Sequence, residues 1–388
     1  MSKQLMFIPG PVTVAEPVLA AMAKPMIDHR GPEFKELQAS IVSKLQPIFG
    51  TTSDVLLLGG SGTSGLEAAM TNMFDAGEKV LVAPVGVFGN RFAEIARTWG
   101  VDVEILETEW GQGVDAAALR ARLERDTKRE IKGVVLTHNE TSTGVQNPMG
   151  PLADAIRAHG AYSLVDSVSG LAASEFTMDA WGFDVVVAAS QKALGVPPGM
   201  AMVAVSKRAW DKMATVKSPR YYLDLKKAKD FQAIGQTPCT PPVSVAFALD
   251  VALDRYAQEG PANVWARHER NTNAIIAFAE AVGLELFAAP GMRSVTVTAI
   301  KMPAGVKGDE IRKKLRVERG YVLGGGQEKL AGQIIRIGTM GDISQTDVLG
   351  MLGALEMELL NQGYKLTVGS GVQAALRVFM EASQPLPA

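Results

Sequence analysis

Seven short apolar runs with helical spacing between them set the strongest limit on how this chain folds. Val55–Leu58, Lys79–Ala83, Val101–Glu107, Gly133–His138, Tyr162–Asp166, Val185–Ala189 and Met202–Val205 read as strands, several of them without polar alternation. Strands covered on both faces have this pattern, because helices lie above and below a mainly parallel sheet. Between them, Ser64–Phe74, Gly89–Trp99, Asp115–Asp126 and Pro151–His159 carry apolar residues at helical intervals. The alternation predicts an α/β fold built on a mainly parallel seven-stranded sheet.

Two long helical stretches follow, near Val243–Tyr256 and Pro261–Val282, broken by Gly260-Pro261. Beyond them come Val295–Ile300, Glu310–Arg319, Ile334–Ile337 and Thr346–Gln362, a strand–helix–strand–helix order. We therefore expect an extended N-terminal arm over residues 1–15, a large unit over 16–259 and a smaller α+β unit over 260–388.

Of 388 residues, 47% are hydrophobic and 21% charged, which is globular composition. Basic and acidic residues nearly cancel, 39 against 41, so no nucleic-acid surface is expected. The single cysteine, Cys239, excludes an internal disulfide, and with four histidines it leaves no Cys/His metal cluster. Phe231–Leu249, the longest uncharged run, contains three prolines and does not suit a membrane span. Residues 1–12 show no charged region followed by a long apolar stretch, and the final residues do not read as a peroxisomal signal, so the expected location is cytoplasmic.

Three segments stand where a parallel sheet gathers its ligands, beyond the carboxyl ends of strands. Gly60-Ser61-Gly62-Thr63-Ser64-Gly65 follows a strand and opens a helix, where free N–H groups attract a phosphate. The residues alone leave open a glycine turn required only by packing. As a dinucleotide fingerprint the segment lacks its acidic partner, since the next strand ends Val82-Ala83-Pro84-Val85. Asp166 ends another strand, as a ligand carboxylate or as a helix cap. Lys192 follows the run Val185–Ala189 and is the only charge between Asp184 and Lys207. A lysine desolvated there is held neutral and can attack a carbonyl. A phosphate cradle, a carboxylate for a pyridinium nitrogen and a lysine for a Schiff base together point to pyridoxal phosphate.

At these residues the chain resembles the class V pyridoxal-phosphate aminotransferases. The blocks that carry the likeness are His138-Asn139-Glu140-Thr141-Ser142-Thr143-Gly144, Val165-Asp166-Ser167-Val168-Ser169-Gly170 and Ser190-Gln191-Lys192-Ala193-Leu194. It runs from Pro9-Gly10-Pro11 to Gly369-Ser370-Gly371-Val372, nearly end to end. Within that family the chain is most similar to the alanine–glyoxylate and serine–glyoxylate aminotransferases. Trp110-Gly111-Gln112-Gly113, Asp179-Ala180-Trp181-Gly182 and Ala331-Gly332 with Arg336-Ile337-Gly338 favour the resemblance to the serine–glyoxylate branch. The resemblance implies a fold-type I transferase in which Lys192 holds the cofactor and shuttles a proton, while Asp166 pairs with its ring nitrogen. It also implies that Ser61, Gly62, Thr63 and Gln191 cradle the phosphate, Phe88 stacks on the ring and Thr141 bonds its phenolic oxygen. Arg336 matches the arginine that grips a substrate carboxylate. Thr240 matches a threonine that reaches the phosphate of a neighbouring subunit, which implies a homodimer. The chain departs from some relatives at Thr237, where they carry tyrosine, and at Thr63, where they carry histidine. The activity implied is transfer of an amino group from serine or alanine to glyoxylate. Ureidoglycine and aminoethylphosphonate donors, a desulfurase-like chemistry and a nicotinamide-binding enzyme are the alternatives.

Overall fold

The computed structural model describes residues 4–381. In chain order its strands are β1 (Leu5–Phe7), β2 (Asp54–Gly60), β3 (Lys79–Ala83), β4 (Asp102–Ile105), β5 (Ile131–Thr137), β6 (Asn139–Glu140) and β7 (Val145–Gln146). They continue as β8 (Tyr162–Asp166), β9 (Val185–Ala189), β10 (Gly199–Val205), β11 (Val297–Lys301), β12 (Tyr321–Gly325) and β13 (Ile334–Gly338). The seven expected strands form one sheet in the order β2-β10-β9-β8-β5-β3-β4. Only β10 runs against its neighbours, pairing antiparallel with both β9 and β2.

The two faces of this sheet explain the unalternating sequence. Val186 and Ala188 of β9 point into one apolar cluster, and Val185 and Val187 into another on the opposite face. Each face is closed by helices, among them Pro32–Phe49 on one side and Gly62–Met73 on the other. A third cluster lies under a four-stranded sheet ordered β1-β12-β13-β11, where Ile300, Leu323, Ile335 and Ile337 meet the helices Pro261–Ala281 and Gln345–Asn361. Within the expected arm, Leu5–Phe7 pairs in parallel with β12 and buries Phe7 in that third cluster.

The topology puts the carboxyl ends of β2, β3, β5, β8 and β9 on one edge, because those strands are mutually parallel. Antiparallel β10 begins there with Gly199. The strand ends at that edge and the segments that follow them carry Ser61, Phe88, His138, Asp166 and Lys192. No helix among the described residues is long and apolar enough to cross a membrane.

Candidate active site

Ser61, Gly62 and Thr63 begin the helix that follows β2, and Ser61 stands at its N-cap without using its side chain as a cap. Gly60 has a φ of +144°, and a Cβ there would meet Ser64 Oγ at 2.4 Å. A Cβ on Gly65 would meet Val187 Cγ1 at 2.6 Å. Close packing and an open helix end thus occur in the same turn, so neither reading of the glycines excludes the other.

That helix end faces a cavity of about 340 Å³. Ser61, Gly62, Thr63, Phe88, Thr141, Asp166, Gln191 and Lys192 all line it. Eight residues anticipated from sequence are therefore brought together. Thr240 is not among them: it is exposed and lines a separate groove with Leu57, Gly59 and Tyr222. Nor does Arg336, on β13, line the cavity: it donates Nη1–H to the carbonyl of Thr141, a lining residue, at 2.9 Å and Nε–H to the Gly325 carbonyl at 2.7 Å.

Burial tunes the charged groups. It draws Lys192 down to about 8, with the charges of Arg336 and Arg91 acting the same way against those of Asp166 and Glu140. The ammonium donates to the Pro9 carbonyl at 2.6 Å, and a Cβ on Gly10 would collide with the Lys192 side chain at 2.8 Å. Burial pushes Asp166 up to about 7, although its Oδ1 accepts the Val168 N–H at 2.9 Å. Beside it His138 is pulled down to about 4 by the same cause, and its Nδ1 pairs with Ser167 Oγ at 2.9 Å. Burial lowers Arg336 to about 10, a value that still leaves it a full cation at neutral pH.

Sequence reasoning did not single out Pro9, Arg91, Asn139, Glu140 or Ser169 as site residues. Glu140 and Asn139 lie inside the His138–Gly144 block, and Ser169 lies inside the Val165–Gly170 block, so the motifs pointed at them without assigning a task. Arg91 lines the cavity with its guanidinium 4.8 Å from the Phe88 ring centre. Asn139 Nδ2 donates to Ser169 Oγ at 2.8 Å and to Thr296 Oγ1 at 2.9 Å, which leaves its Oδ1 buried and unpartnered. Gln191 Oε1 is also buried without a partner.

These features fit pyridoxal phosphate on chemical grounds. Unpartnered polar atoms sit on residues lining the cavity, a helix end supplies N–H donors for a phosphate, and an amine and a carboxylate share the same walls. Fold and site together define a pyridoxal-phosphate-dependent transferase of fold type I. More narrowly, the chain belongs to the class V aminotransferases, whose family pattern matches residues 18–334. It is 41% identical to the soluble hydrogenase 42 kDa subunit of Anabaena cylindrica over 97% of this chain and 99% of that one. It is 35% identical to the serine–glyoxylate aminotransferase of Arabidopsis thaliana over 95% and 94% of the two chains. The crystal structure of ureidoglycine–glyoxylate aminotransferase from Bacillus subtilis superposes with a TM-score of 0.92, at 30% identity, covering 98% of this chain and 99% of that one. The protein is thus a pyridoxal-phosphate-dependent aminotransferase, not a nicotinamide enzyme.

Proposed function

We propose that this aminotransferase moves the amino group of a small amino acid, serine or alanine, to glyoxylate, leaving glycine and a 2-oxo acid. One observation carries the reading: Lys192, Asp166 and the helix end at Ser61–Thr63 line a single cavity of about 340 Å³, and the buried Arg336 bonds the carbonyl of Thr141, another lining residue. A cavity of this size with one buried guanidinium suits a short substrate carrying one carboxylate. The serine–glyoxylate and ureidoglycine–glyoxylate activities of its relatives lend glyoxylate as the acceptor.

When bound there, pyridoxal phosphate supplies a carbonyl to carry the amino group and an electron sink to stabilise the negative charge left at Cα. In the proposed roles Ser61, Gly62, Thr63 and Gln191 hold the phosphate, Phe88 covers the ring and Thr141 bonds the ring oxygen. Asp166 pairs with the ring nitrogen and keeps it protonated. Lys192 would hold the cofactor by its carbonyl and, as a free amine, would take the proton from the substrate Cα. Its depressed pKa makes the free base available near neutral pH. Arg336 orients the substrate by its carboxylate, and Thr240 completes the phosphate site of a neighbouring subunit in a homodimer. The same reading takes residues 16–259 as the large unit and 260–388 as the small one, in the cytoplasm.

A second reading of the donor has its own observation. Arg91 lines the cavity, and its guanidinium, over the Phe88 ring, makes no hydrogen bond or ion pair among the described residues. A second cation there suits a donor with a second acidic group, such as aspartate. Serine, alanine, aspartate, ureidoglycine and aminoethylphosphonate, each supplied with glyoxylate, separate the readings by their relative kcat/KM. Lys192→Ala is expected to abolish turnover and the borohydride-trappable cofactor band. A Lys192→Ala protein that still turned over would sink the assignment.

A further inference from the structure

None of the roles above uses Glu140, yet it is fully buried beside the cavity. Its Oε2 accepts the Phe88 N–H at 2.9 Å and the Gly89 N–H at 3.1 Å. Its Oε1 accepts the Ser142 N–H at 3.0 Å and the Ser142 hydroxyl at 2.6 Å. Ser142 Oγ in turn accepts the Val87 N–H at 2.9 Å. The N–H groups of Val87, Phe88 and Gly89, which open the helix Val87–Thr98, therefore end on Glu140 and Ser142, in the β6–β7 hairpin about fifty residues further along the chain.

An ordinary helix draws such a cap from its own N-cap side chain. Here the N-cap is Gly86, and the space is taken: a Cβ on it would meet Ser142 Oγ at 2.4 Å and Glu140 Cγ at 2.5 Å. The chemistry of the cap is restrictive. All of Glu140's partners are donors, so only an acceptor-only group satisfies them, and that group is the ionised carboxylate. Burial is the largest influence and holds Glu140 above its ordinary value, while its four hydrogen bonds and the positive helix end act the other way, toward the anion.

Two sides of the site converge on this group. The capped helix presents Phe88 and Arg91 to the cavity. Thr141, between Glu140 and Ser142, lines the cavity and holds Arg336 through its carbonyl at 2.9 Å. We propose that Glu140 is a positioning residue for transamination: its carboxylate ties the Phe88 helix to the Thr141 loop and so fixes the ring-covering side against the carboxylate-gripping side. This rests on the roles proposed above for Phe88 and Arg336.

Glu140→Gln tests it with nearly unchanged shape, since an amide turns a donor toward groups that are themselves donors. The cofactor dissociation constant, read by fluorescence titration of apoprotein, is expected to rise about tenfold. The donor KM is expected to rise by a similar factor, with kcat changed less. Ser142→Ala removes only the hydroxyl link and is expected to raise the same two constants roughly threefold. If Glu140→Gln fails to fold, Ser142→Ala decides. Wild-type values of both constants, with only the melting temperature lowered, would overturn the proposal and leave Glu140 a structural cap. Failure of the wild-type chain to bind pyridoxal phosphate would instead sink the underlying reading, so the two failures are distinguishable.

Discussion

Lys192 and Asp166 occupy neighbouring strand ends, and each is shifted toward its neutral form by burial. The consequences for pH have opposite signs. An unfolded lysine stays protonated up to about 10.5, whereas Lys192 in the folded chain releases its proton near 8. Between those values the unfolded chain binds more protons, so the Lys192 contribution to apoprotein stability rises with pH. Asp166 keeps its proton up to about 7 in the folded chain and only to about 3.8 in the unfolded one, so its contribution falls with pH across that window. For function, the neutral amine is the nucleophile. Recombination of apoprotein with pyridoxal phosphate should accelerate as pH rises through about 8. The Asp166 charge favours the ammonium, so Asp166→Asn should move that midpoint to lower pH. Stopped-flow absorbance across pH 6 to 10, a range of ~2 units on each side of Lys192's pKa, measures it; a midpoint that rose in the variant would contradict the electrostatic account.

Elements were legible where local pattern and burial agree. Lys79–Ala83, Tyr162–Asp166 and Val185–Ala189 appear with the bounds read from sequence, because each is an apolar run buried on both faces. β12 escaped, since its strand Tyr321–Gly325 ends in glycines and draws its order from pairing with β1 and β13. Leu5–Phe7 is too short to show a period, and its partner lies over three hundred residues away. The helix Pro32–Phe49 has sequence signals that locate it, Pro32 at its start and a left-handed Gly50 at its end. The glycine loop shows how an element can answer two demands. In an exposed helix interior, alanine in place of glycine is normally favourable by roughly 0.5–1 kcal/mol. At Gly65 the added Cβ would meet Val187 Cγ1 at 2.6 Å and Ala201 Cβ at 3.3 Å, both on the central sheet. Overpacking of that kind costs about 1–3 kcal/mol, so the clash outweighs the propensity gain. Gly65→Ala should therefore lower the denaturant midpoint and weaken phosphate binding, and a stabilised variant would show that the helix moves away from the sheet without cost.

The molecule as a whole distributes its anticipated site residues unevenly, and that distribution makes a specific demand. The large sheet gathers Lys192, Asp166 and the Ser61 helix end at one edge, and β13 brings Arg336 from the second sheet. Thr240, anticipated for the same phosphate, lies in another groove, exposed. Three residues earlier Thr237 lines the same groove but is buried, at 7% exposure, with Oγ1 unpartnered, so of the pair Thr240 is the exposed one. Family resemblance could suggest this division of labour, whereas no periodicity within one chain could, because a contact between chains leaves no local pattern. If Thr240 serves the neighbouring subunit, Thr240→Ala alone should raise the cofactor dissociation constant. A hybrid pairing Lys192→Ala chains with Thr240→Ala chains should nevertheless regain one intact site. The Thr240→Ala chain there supplies Lys192, and the Lys192→Ala chain supplies Thr240. Differently tagged chains, co-expressed and isolated by two affinity steps, allow cofactor affinity to be titrated in the hybrid alone. Wild-type affinity at its single lysine-bearing site is the expected result. Affinity as weak as in the Thr240→Ala homodimer would place Thr240's effect within its own chain and remove the argument for a shared site.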